Sequence, residues 1–183
     1  MKLCVYCGSS PGNHPVFAQA AKELGTLMGA RGHALVYGGG GRGIMVEVAQ
    51  ATKAAGGKVI GVIPESLVNT EHAWDGCDEL TVTQTMRQRK QLMDDQADAF
   101  VVLAGGFGTL EEVAEILTLK ILGYTDRPVI LLNTAGFWDP LLALFEHFYS
   151  TGFGKEKYRA HYAVATTPAQ VLELAEAFRK AQV

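Results

Sequence analysis

The chain alternates between short apolar runs and amphipathic segments, and this alternation constrains its fold more than any other feature. The apolar runs occupy residues 3–7, 34–37, 59–63, 79–82, 100–103, 129–132 and 161–165. Helical periodicity covers residues 15–30, 44–55, 86–96, 110–122, 138–150 and 168–180. Continuous runs such as Val129-Ile130-Leu131-Leu132 are typical of parallel strands that are covered on both faces. The pattern predicts a doubly wound α/β fold, with a mostly parallel, Rossmann-like sheet of about seven strands and helices on both faces.

Length and composition predict a single globular domain over residues 1–183. Hydrophobic residues make up 48% of the chain and charged residues 19%, which excludes a disordered protein. The net charge is −3, with no long run of either sign, which argues against a sequence-independent nucleic-acid binder. No apolar run is long enough to cross a bilayer, and residues 1–6 are typical of a first strand rather than a signal peptide. We therefore expect a cytoplasmic protein that binds neither nucleic acid nor membrane.

The three cysteines predict structural thiols. An odd number argues against a disulfide framework. Cys4 and Cys7 form a CxxC motif, but they lie within the first predicted strand instead of at the start of a helix. Their side chains should therefore point to opposite faces of the sheet, which disfavours a redox pair.

A glycine turn after the fifth strand predicts an anion site. Gly105-Gly106-Phe107-Gly108 leads into a helix that Thr109 should open. The unpaired N–H groups and the dipole of such a helix start favour an anion, and Glu111 and Glu112 place two carboxylates one turn inside the same site. A structural alternative is a capping box between Thr109 and Glu112. We favour the anion site, and with it an enzyme that acts on a phosphorylated substrate.

Two cations precede this turn on the predicted helix 86–96. At about 100° per residue, Met86, Arg89, Lys90 and Met93 share one arc of the helix. Burying unpaired cations is costly, so Arg89 and Lys90 should meet an anion or line a wet pocket. The alternative is that both side chains extend to water at the edge of the helix.

Three other segments follow strand ends. Residues 8–13 are either a pocket floor or a turn with a helix cap, and residues 63–77 form a long polar loop over the strand ends. Gly38, Gly40 and Gly43 match GxGxxG, although four consecutive glycines match almost any glycine pattern. This turn predicts contact with a nucleotide or phosphate but not with NAD, because the acid that follows, Glu65, comes after a proline in a loop.

The loop over residues 63–77 carries two further polar candidates. On its own, Glu71 is typical of a solvated loop acid. His72 has no His or Cys partner at metal-ligand spacing, so we expect no metal.

Taken together, the segments 105–112 (GGFGTLEE), Arg89-Lys90 and 38–45 closely resemble the LOG ("lonely guy") family. These are cytokinin riboside 5′-monophosphate phosphoribohydrolases, and many relatives were once labelled lysine decarboxylases. The family pattern is PGGxGTxxE, preceded by an MHxRK-type segment. The resemblance covers nearly the whole chain, including the loop after the third strand and residues 131–138.

The resemblance implies hydrolysis of the N-glycosidic bond of a nucleoside 5′-monophosphate, giving free base and ribose 5-phosphate without a cofactor. Arg89 and Glu112 match the catalytic arginine and glutamate of the family. By the same similarity, Gly105, Gly106, Gly108 and Thr109 would hold the 5′-phosphate. The remaining positions expected to contact the substrate are Glu71, Lys90, Phe107, Leu110, Glu111, Thr118, Gly39, Gly40 and Met86. The family assembles as dimers or larger oligomers, with sites near the subunit interface, so we expect a homo-oligomer.

The chain departs from the family pattern at Ala104, Arg87 and Val46, where the family has proline, histidine and glycine. The last two changes bear on base preference more than on reaction type. Among other functions, a non-catalytic nucleotide or cofactor carrier would use the same phosphate site without a positioned acid. Lysine decarboxylation requires a lysine that binds pyridoxal phosphate, and no lysine stands in such a context. An NAD-dependent oxidoreductase ranks last.

Overall fold

The computed structural model describes residues 1–181 and contains a seven-stranded parallel sheet in the order β4-β3-β2-β1-β5-β6-β7. Every neighbouring pair in this order is parallel. The strands are β1 Lys2–Tyr6, β2 Ala34–Tyr37, β3 Val59–Pro64, β4 Glu79–Thr83, β5 Ala99–Val102, β6 Val129–Leu132 and β7 Ala163–Ala165. The predicted fold class is confirmed. The strand order reverses between β1 and β5, and a crevice at the carboxyl ends of these strands is the expected ligand site.

Helices cover both faces of the sheet, as the alternation predicts. They are α1 Pro15–Ala30, α2 Gly43–Ala54, α3 Glu65–Val68, α4 Met86–Gln96, α5 Phe107–Ile121, α6 Asp139–Ser150 and α7 Pro168–Ala181. One face packs against α1, α2 and α7 in a core that includes Leu24, Val48 and Val171. The other packs against α4 and α5 in a core that includes Met93 and Val113. None of the helices within residues 1–181 combines the length and apolar character required to cross a membrane.

The start of α5 differs from the prediction. The helix begins at Phe107 with Gly106 as its N-cap, so Thr109 lies inside the first turn instead of opening the helix. Thr109 is only 3% exposed, and a Cβ at Gly105 would overlap its hydroxyl oxygen. The capping-box alternative is therefore wrong, because the Thr109 side chain packs against the glycine turn.

Two other elements differ from the predicted pattern. The strand expected over residues 161–165 begins only at Ala163, because Glu156–His161 forms a 3-10 helix. The short helix α3 directly follows β3 and was not predicted. Cys4 and Cys7 do lie on opposite faces of the sheet, in the two separate cores, and all three cysteines are free thiols.

Candidate active site

The loops after β1 and β5 contact each other through their backbones at the point where the strand order reverses. The Gly8 N–H donates to the Ala104 carbonyl at 3.0 Å. A Cβ at Gly105 would lie 2.9 Å from the Gly8 nitrogen, so this close approach requires a glycine. The first turn of α5 is thereby fixed at the centre of the sheet edge.

The N-terminus of α5 is open to a ligand. Its N-cap, Gly106, has no side chain to occupy the first turn, and its carbonyl accepts from the Leu110 N–H at 3.0 Å. Within the part of the chain that the structure describes, the N–H groups of Phe107, Gly108 and Thr109 have no hydrogen-bond partner. Three free amides and the helix dipole favour an anion at this position.

The other helices that begin at the central strands use their first N–H groups internally. In α2, the N–H groups of Ile44 and Met45 donate to the Gly8 carbonyl at 3.1 and 3.3 Å. In α1, the Val16 N–H donates to the His14 ring. The glycine turn before α2 therefore differs from the turn before α5, and ligand contact at Gly39 and Gly40 stays a prediction.

Arg89 is buried where β2 and β3 end. The residue is 6% exposed; its Nε donates to the Val62 carbonyl and one terminal nitrogen donates to the Gly38 carbonyl, both at 3.1 Å. A Cβ at Gly38 would overlap the guanidinium, so the first glycine of the turn makes room for this side chain. The other terminal nitrogen lies 3.9 Å from the sulfur of Met86, which places Met86 beside the same group.

Glu112 is a buried carboxyl group on the first turns of α5. It is 8% exposed and, among residues 1–181, it makes no hydrogen bond or ion pair. Burial raises its pKa to about 7, although the nearby Arg89 charge acts in the opposite direction. The Arg89 charge thus favours the ionised form of Glu112, although the two side chains form no ion pair within residues 1–181.

Lys90 meets carboxylates, as expected for a cation on the inner arc of α4. Its amine lies 2.5 Å from Glu111 and 2.6 Å from Glu115. Both partners are on α5, so these ion pairs hold α4 and α5 together at the rim of the site. Lys90 and Glu111 are therefore neighbours, as the predicted site requires.

Glu71 is not the solvated loop acid that its sequence context suggests. Its Oε2 is buried and has no hydrogen-bond partner among the residues described, and it would lie 3.2 Å from a Cβ at Gly40. Burial raises the pKa of the Cys7 thiol, and the charges of Glu112, Arg89 and Glu71 all act on it. Glu112, Arg89 and Glu71 therefore all lie near this thiol, at the end of β1.

Comparisons with known proteins identify the family of this chain. A family model described as "possible lysine decarboxylase" matches residues 45–175. The chain is 42% identical, over 98% of its length and 80% of the relative's, to a rice (Oryza sativa subsp. japonica) protein named probable cytokinin riboside 5′-monophosphate phosphoribohydrolase LOGL1. It is 40% identical to the Arabidopsis thaliana cytokinin riboside 5′-monophosphate phosphoribohydrolase LOG2, covering 97% of this chain and 83% of that protein. The chain belongs to the LOG family.

A solved structure outside the named LOG enzymes shares the fold. It is the molybdenum cofactor binding protein from Rippkaea orientalis, with a TM-score of 0.74 and 28% identity, covering 97% of this chain and 96% of that one. The LOG fold therefore also occurs in a protein whose name describes binding instead of hydrolysis.

A polar pair next to the candidate site was not predicted from the sequence. The Tyr6 hydroxyl donates to Asp94 Oδ1 at 2.5 Å, and the two residues connect β1 to α4 within the core. Burial raises the pKa of Asp94, and its charge contributes to the raised pKa of Glu112. Asp94 lies one turn after Lys90, just beyond the edge of the apolar arc of α4, which is the one sequence signal that indicates its burial.

At three of the expected substrate positions the side chain lies away from this cluster in a single chain. The Phe107 side chain is 92% exposed, and Leu110 lies beside it on the outer surface of α5. Thr118 lines a groove of about 440 Å³ between α5 and α6, where its hydroxyl donates to the Ala114 carbonyl. Their contact with substrate stays a prediction.

Proposed function

We propose that this chain hydrolyses the N-glycosidic bond of nucleoside 5′-monophosphates, releasing the free base and ribose 5-phosphate. The observation that carries the proposal is the buried, unpartnered Glu112 carboxyl group on the helix whose N-terminus is open to an anion. The names of the LOG relatives support the same reaction and substrate class.

The phosphate of the substrate binds at the N-terminus of α5. The free N–H groups of Phe107, Gly108 and Thr109 and the Thr109 hydroxyl supply donors to its oxygens. Because the phosphate is remote from the bond that breaks, its binding energy serves to position the ribose. Glu112 lies one turn further along the same helix, and this spacing supports a role for its carboxyl group beside the sugar.

Glu112 stabilises positive charge on the ribose and transfers a proton. As the N-glycosidic bond breaks, its electron pair moves to the base, and C1′ of the sugar becomes electron-deficient. Water attacks C1′ and loses a proton, and the departing base gains one. A carboxyl group with a pKa of about 7 is suited to accept the first proton and to return one to the base. Arg89, held by two carbonyls, supplies fixed positive charge beside Glu112.

The pH dependence of turnover follows from the pKa of Glu112. The reaction starts from the ionised carboxylate, so kcat/KM should rise with pH and level off above about 7. Below the midpoint, the rate should fall about tenfold for each pH unit, as for a single ionisation. The measurement is initial rate against pH from 5.5 to 8.5, with thermal unfolding at each pH as the control. A flat profile across this range would contradict the assignment.

Replacing Thr109 by valine should weaken substrate binding while keeping the fold. Valine retains the buried volume that packs against Gly105 but removes the hydroxyl donor. Since a hydrogen bond to a charged group contributes about 1.5–3 kcal/mol, KM should rise at least about tenfold with kcat nearly unchanged. Thr26→Val is the matched control, because the Thr26 hydroxyl donates within α1, to the Lys22 carbonyl. An unchanged KM would remove Thr109 from the phosphate site.

Product analysis tests the proposed function directly. Purified protein is incubated with AMP and with N6-isopentenyl-AMP, each beside its dephosphorylated nucleoside, and the products are separated by chromatography. Free base should appear from the monophosphates only, and the ratio of rates gives the base preference. Absence of free base from both monophosphates would overturn the proposal.

The alternative function is a non-catalytic carrier of a nucleotide or cofactor. The shared fold of the molybdenum cofactor binding protein favours it. A carrier has no use for an unpartnered acid, however, and burying Glu112 is costly without a chemical role. Binding of a monophosphate without release of base would favour the carrier.

The contacts of two partly buried lysines, Lys90 and Lys120, disfavour lysine decarboxylation. Lys90 forms ion pairs with two glutamates, and Lys120 donates to the carbonyls of Asp126 and Arg127. Both amines are therefore engaged, whereas a Schiff base requires a free amine beside the cofactor.

A second copy of the chain is proposed to cover the outer face of α5 and α6, in a homodimer or larger oligomer. Helix α6 has no buried residue despite its apolar side chains. The exposed apolar residues of this face are Phe107, Leu110, Leu122, Leu144, Phe148 and Phe153. Thr118 lies in the same groove, so it would face the partner in such an assembly. Light scattering after size-exclusion chromatography should give at least twice the monomer mass, and a monomer would contradict this.

A cytoplasmic location is proposed as well. It is supported by the three free thiols, since disulfides form in oxidising compartments. Fractionation of cells that produce the protein tests this proposal.

A further inference from the structure

The structure assigns a positioning role to Arg42 and His72. Their side chains form a hydrogen bond that attaches the loop carrying Glu71 to the glycine turn before α2, and we call this contact the clasp. This inference rests on the proposed function, in which Glu71 contacts the substrate. Neither Arg42 nor His72 is buried, and neither lies among the groups around Arg89 and Glu112. Their effect on the reaction therefore acts through Glu71.

The side chains form a continuous set of hydrogen bonds. A terminal nitrogen of Arg42 donates to His72 Nε2 at 2.7 Å. His72 Nδ1 lies 2.7 Å from the Asn69 carbonyl, which only accepts, so this nitrogen carries the proton and Nε2 is the acceptor for Arg42. The neutral ring thus connects the glycine turn to the start of the loop.

The backbone of the loop is attached to the same turn. The Gly41 N–H donates to the carbonyls of Glu71, at 3.1 Å, and His72, at 2.7 Å. The Trp74 N–H donates to the Gly39 carbonyl at 3.0 Å. A side chain at position 41 would overlap the His72 carbonyl, so this attachment depends on glycine.

Two unfavourable features are adjacent in this loop and require such attachment. His72 has a φ of 52°, in the left-handed region that residues other than glycine seldom adopt. Directly before it, the buried Oε2 of Glu71 has no hydrogen-bond partner within residues 1–181. A free loop would relax both features by turning Glu71 toward water. The contacts to the glycine turn keep the carboxylate pointing inward.

Loss of the clasp should weaken ligand binding and leave the chemical step unchanged. Glu71 takes no part in the proton transfer assigned to Glu112, so its contacts with the substrate contribute equally to the bound substrate and to the transition state. Removing such uniform binding raises KM at constant kcat. We expect Arg42→Ala and His72→Ala each to raise KM about tenfold, with kcat within about twofold of the unsubstituted protein.

Conservative variants separate positioning from general damage. His72→Asn should restore KM to within about threefold, because asparagine tolerates the left-handed backbone and its side-chain oxygen accepts a hydrogen bond. The double variant Arg42→Ala/His72→Ala should resemble either single variant, because both changes remove the same contact. Thermal unfolding measured on all variants detects damage to the fold. Arg31→Ala, an exposed arginine paired with Glu176 far from the loop, is the matched control and should leave KM unchanged.

The test is completed by calorimetric titration of AMP into the unsubstituted protein and the variants, each carrying Glu112→Gln to stop turnover. The Kd for AMP should rise about tenfold on loss of either side chain. Equal Kd values in all variants would overturn the clasp and leave the proposed function intact. An additive double variant, or a loss of kcat at constant KM, would also overturn it. Failure of the unsubstituted protein to release base, with Kd still sensitive to Arg42, would overturn the proposed function alone.

Discussion

Replacing Glu112 by glutamine is expected to abolish turnover and to make the protein more stable above pH 7. Glutamine cannot take a proton from water or stabilise a cationic sugar, so kcat should fall about 10³-fold or more. The side chain keeps its size, so packing on α5 is retained. Turnover of AMP or of N6-isopentenyl-AMP and urea unfolding of the same preparation measure the two effects.

The stability effect has a definite sign. The pKa of Glu112 is about 7 in the folded protein and near 4.5 in the unfolded chain. The folded state therefore binds the Glu112 proton more tightly than the unfolded chain does. This difference contributes fully to the free energy of unfolding below pH 4.5, and the contribution is lost as the pH rises through 7. Glutamine does not ionise, so the variant avoids this loss. Its free energy of unfolding should be higher than that of the unsubstituted protein by on the order of 3 kcal/mol at pH 8 and should equal it near pH 4.5.

The matched control for this experiment is Glu115→Gln. Glu115 lies on the same helix and pairs with Lys90, but it is 41% exposed, and Lys90 keeps its second partner, Glu111. The Glu115→Gln substitution should change the free energy of unfolding by less than about 1 kcal/mol and leave kcat nearly unchanged. If Glu112→Gln retained a tenth of the original kcat, Glu112 would not be the catalytic acid and base.

Replacing Arg89 by alanine is expected to lower both activity and stability. The guanidinium donates to the Val62 and Gly38 carbonyls from a buried position, so its removal leaves a cavity and two carbonyls without these donors. We expect the free energy of unfolding to fall by about 2–4 kcal/mol. Glu112 loses its neighbouring positive charge as well, so kcat should fall about 100-fold or more and the pH midpoint should move upward.

Two further variants make this result interpretable. Arg89→Lys keeps the charge but not the planar fork, so it should recover part of the activity without the stability of the original side chain. Gln91→Ala, at an exposed position of the same helix, should change neither quantity. Activity near the original level in Arg89→Ala, in a protein shown to be folded, would contradict the role of this arginine.

The fold could be predicted from the sequence because its determinants are local. Continuous apolar runs such as residues 129–132 identify parallel strands, and the helical segments between them fix the layers. The strand expected at residue 161 begins at Ala163 because the polar and aromatic residues before it close a 3-10 helix. Element boundaries of this kind depend on tertiary packing, which the pattern of hydrophobic residues does not contain.

The candidate site was only partly predictable because several of its contacts join distant segments. The sequence Thr109-x-x-Glu112 matches a capping box, yet Thr109 packs against Gly105, and the N-cap is Gly106. Lys90 meets two carboxylates, as its position on the helix predicts, but nothing local indicates that Arg89 donates to the carbonyls of Val62 in β3 and of Gly38 in the glycine turn. Each of these outcomes depends on how the chain brings separate loops to one edge.

The burial of Glu71 is the clearest feature of the site that its local sequence does not indicate. In sequence it is one acid in a polar loop, and its burial follows from hydrogen bonds between that loop and a glycine turn 30 residues earlier. Tyr6 and Asp94, which are 88 residues apart, form a pair that no local pattern indicates. Long-range hydrogen bonds between loops are therefore the part of the site that required a structure.

The unequal use of the helix starts at the sheet edge has a consequence for inhibitor design. In α1 and α2 the first amides donate to His14 and to the Gly8 carbonyl, whereas those of Phe107, Gly108 and Thr109 in α5 have no partner within residues 1–181. A diphosphate in the middle of a compound needs donors for two phosphate groups, and the start of α5 supplies free amides for one. A compound with one terminal phosphonate needs only this single set of amides. Selective inhibitors of this protein should therefore carry a single anionic end group, with the remaining atoms extending past Glu112 toward Glu71 and Met86.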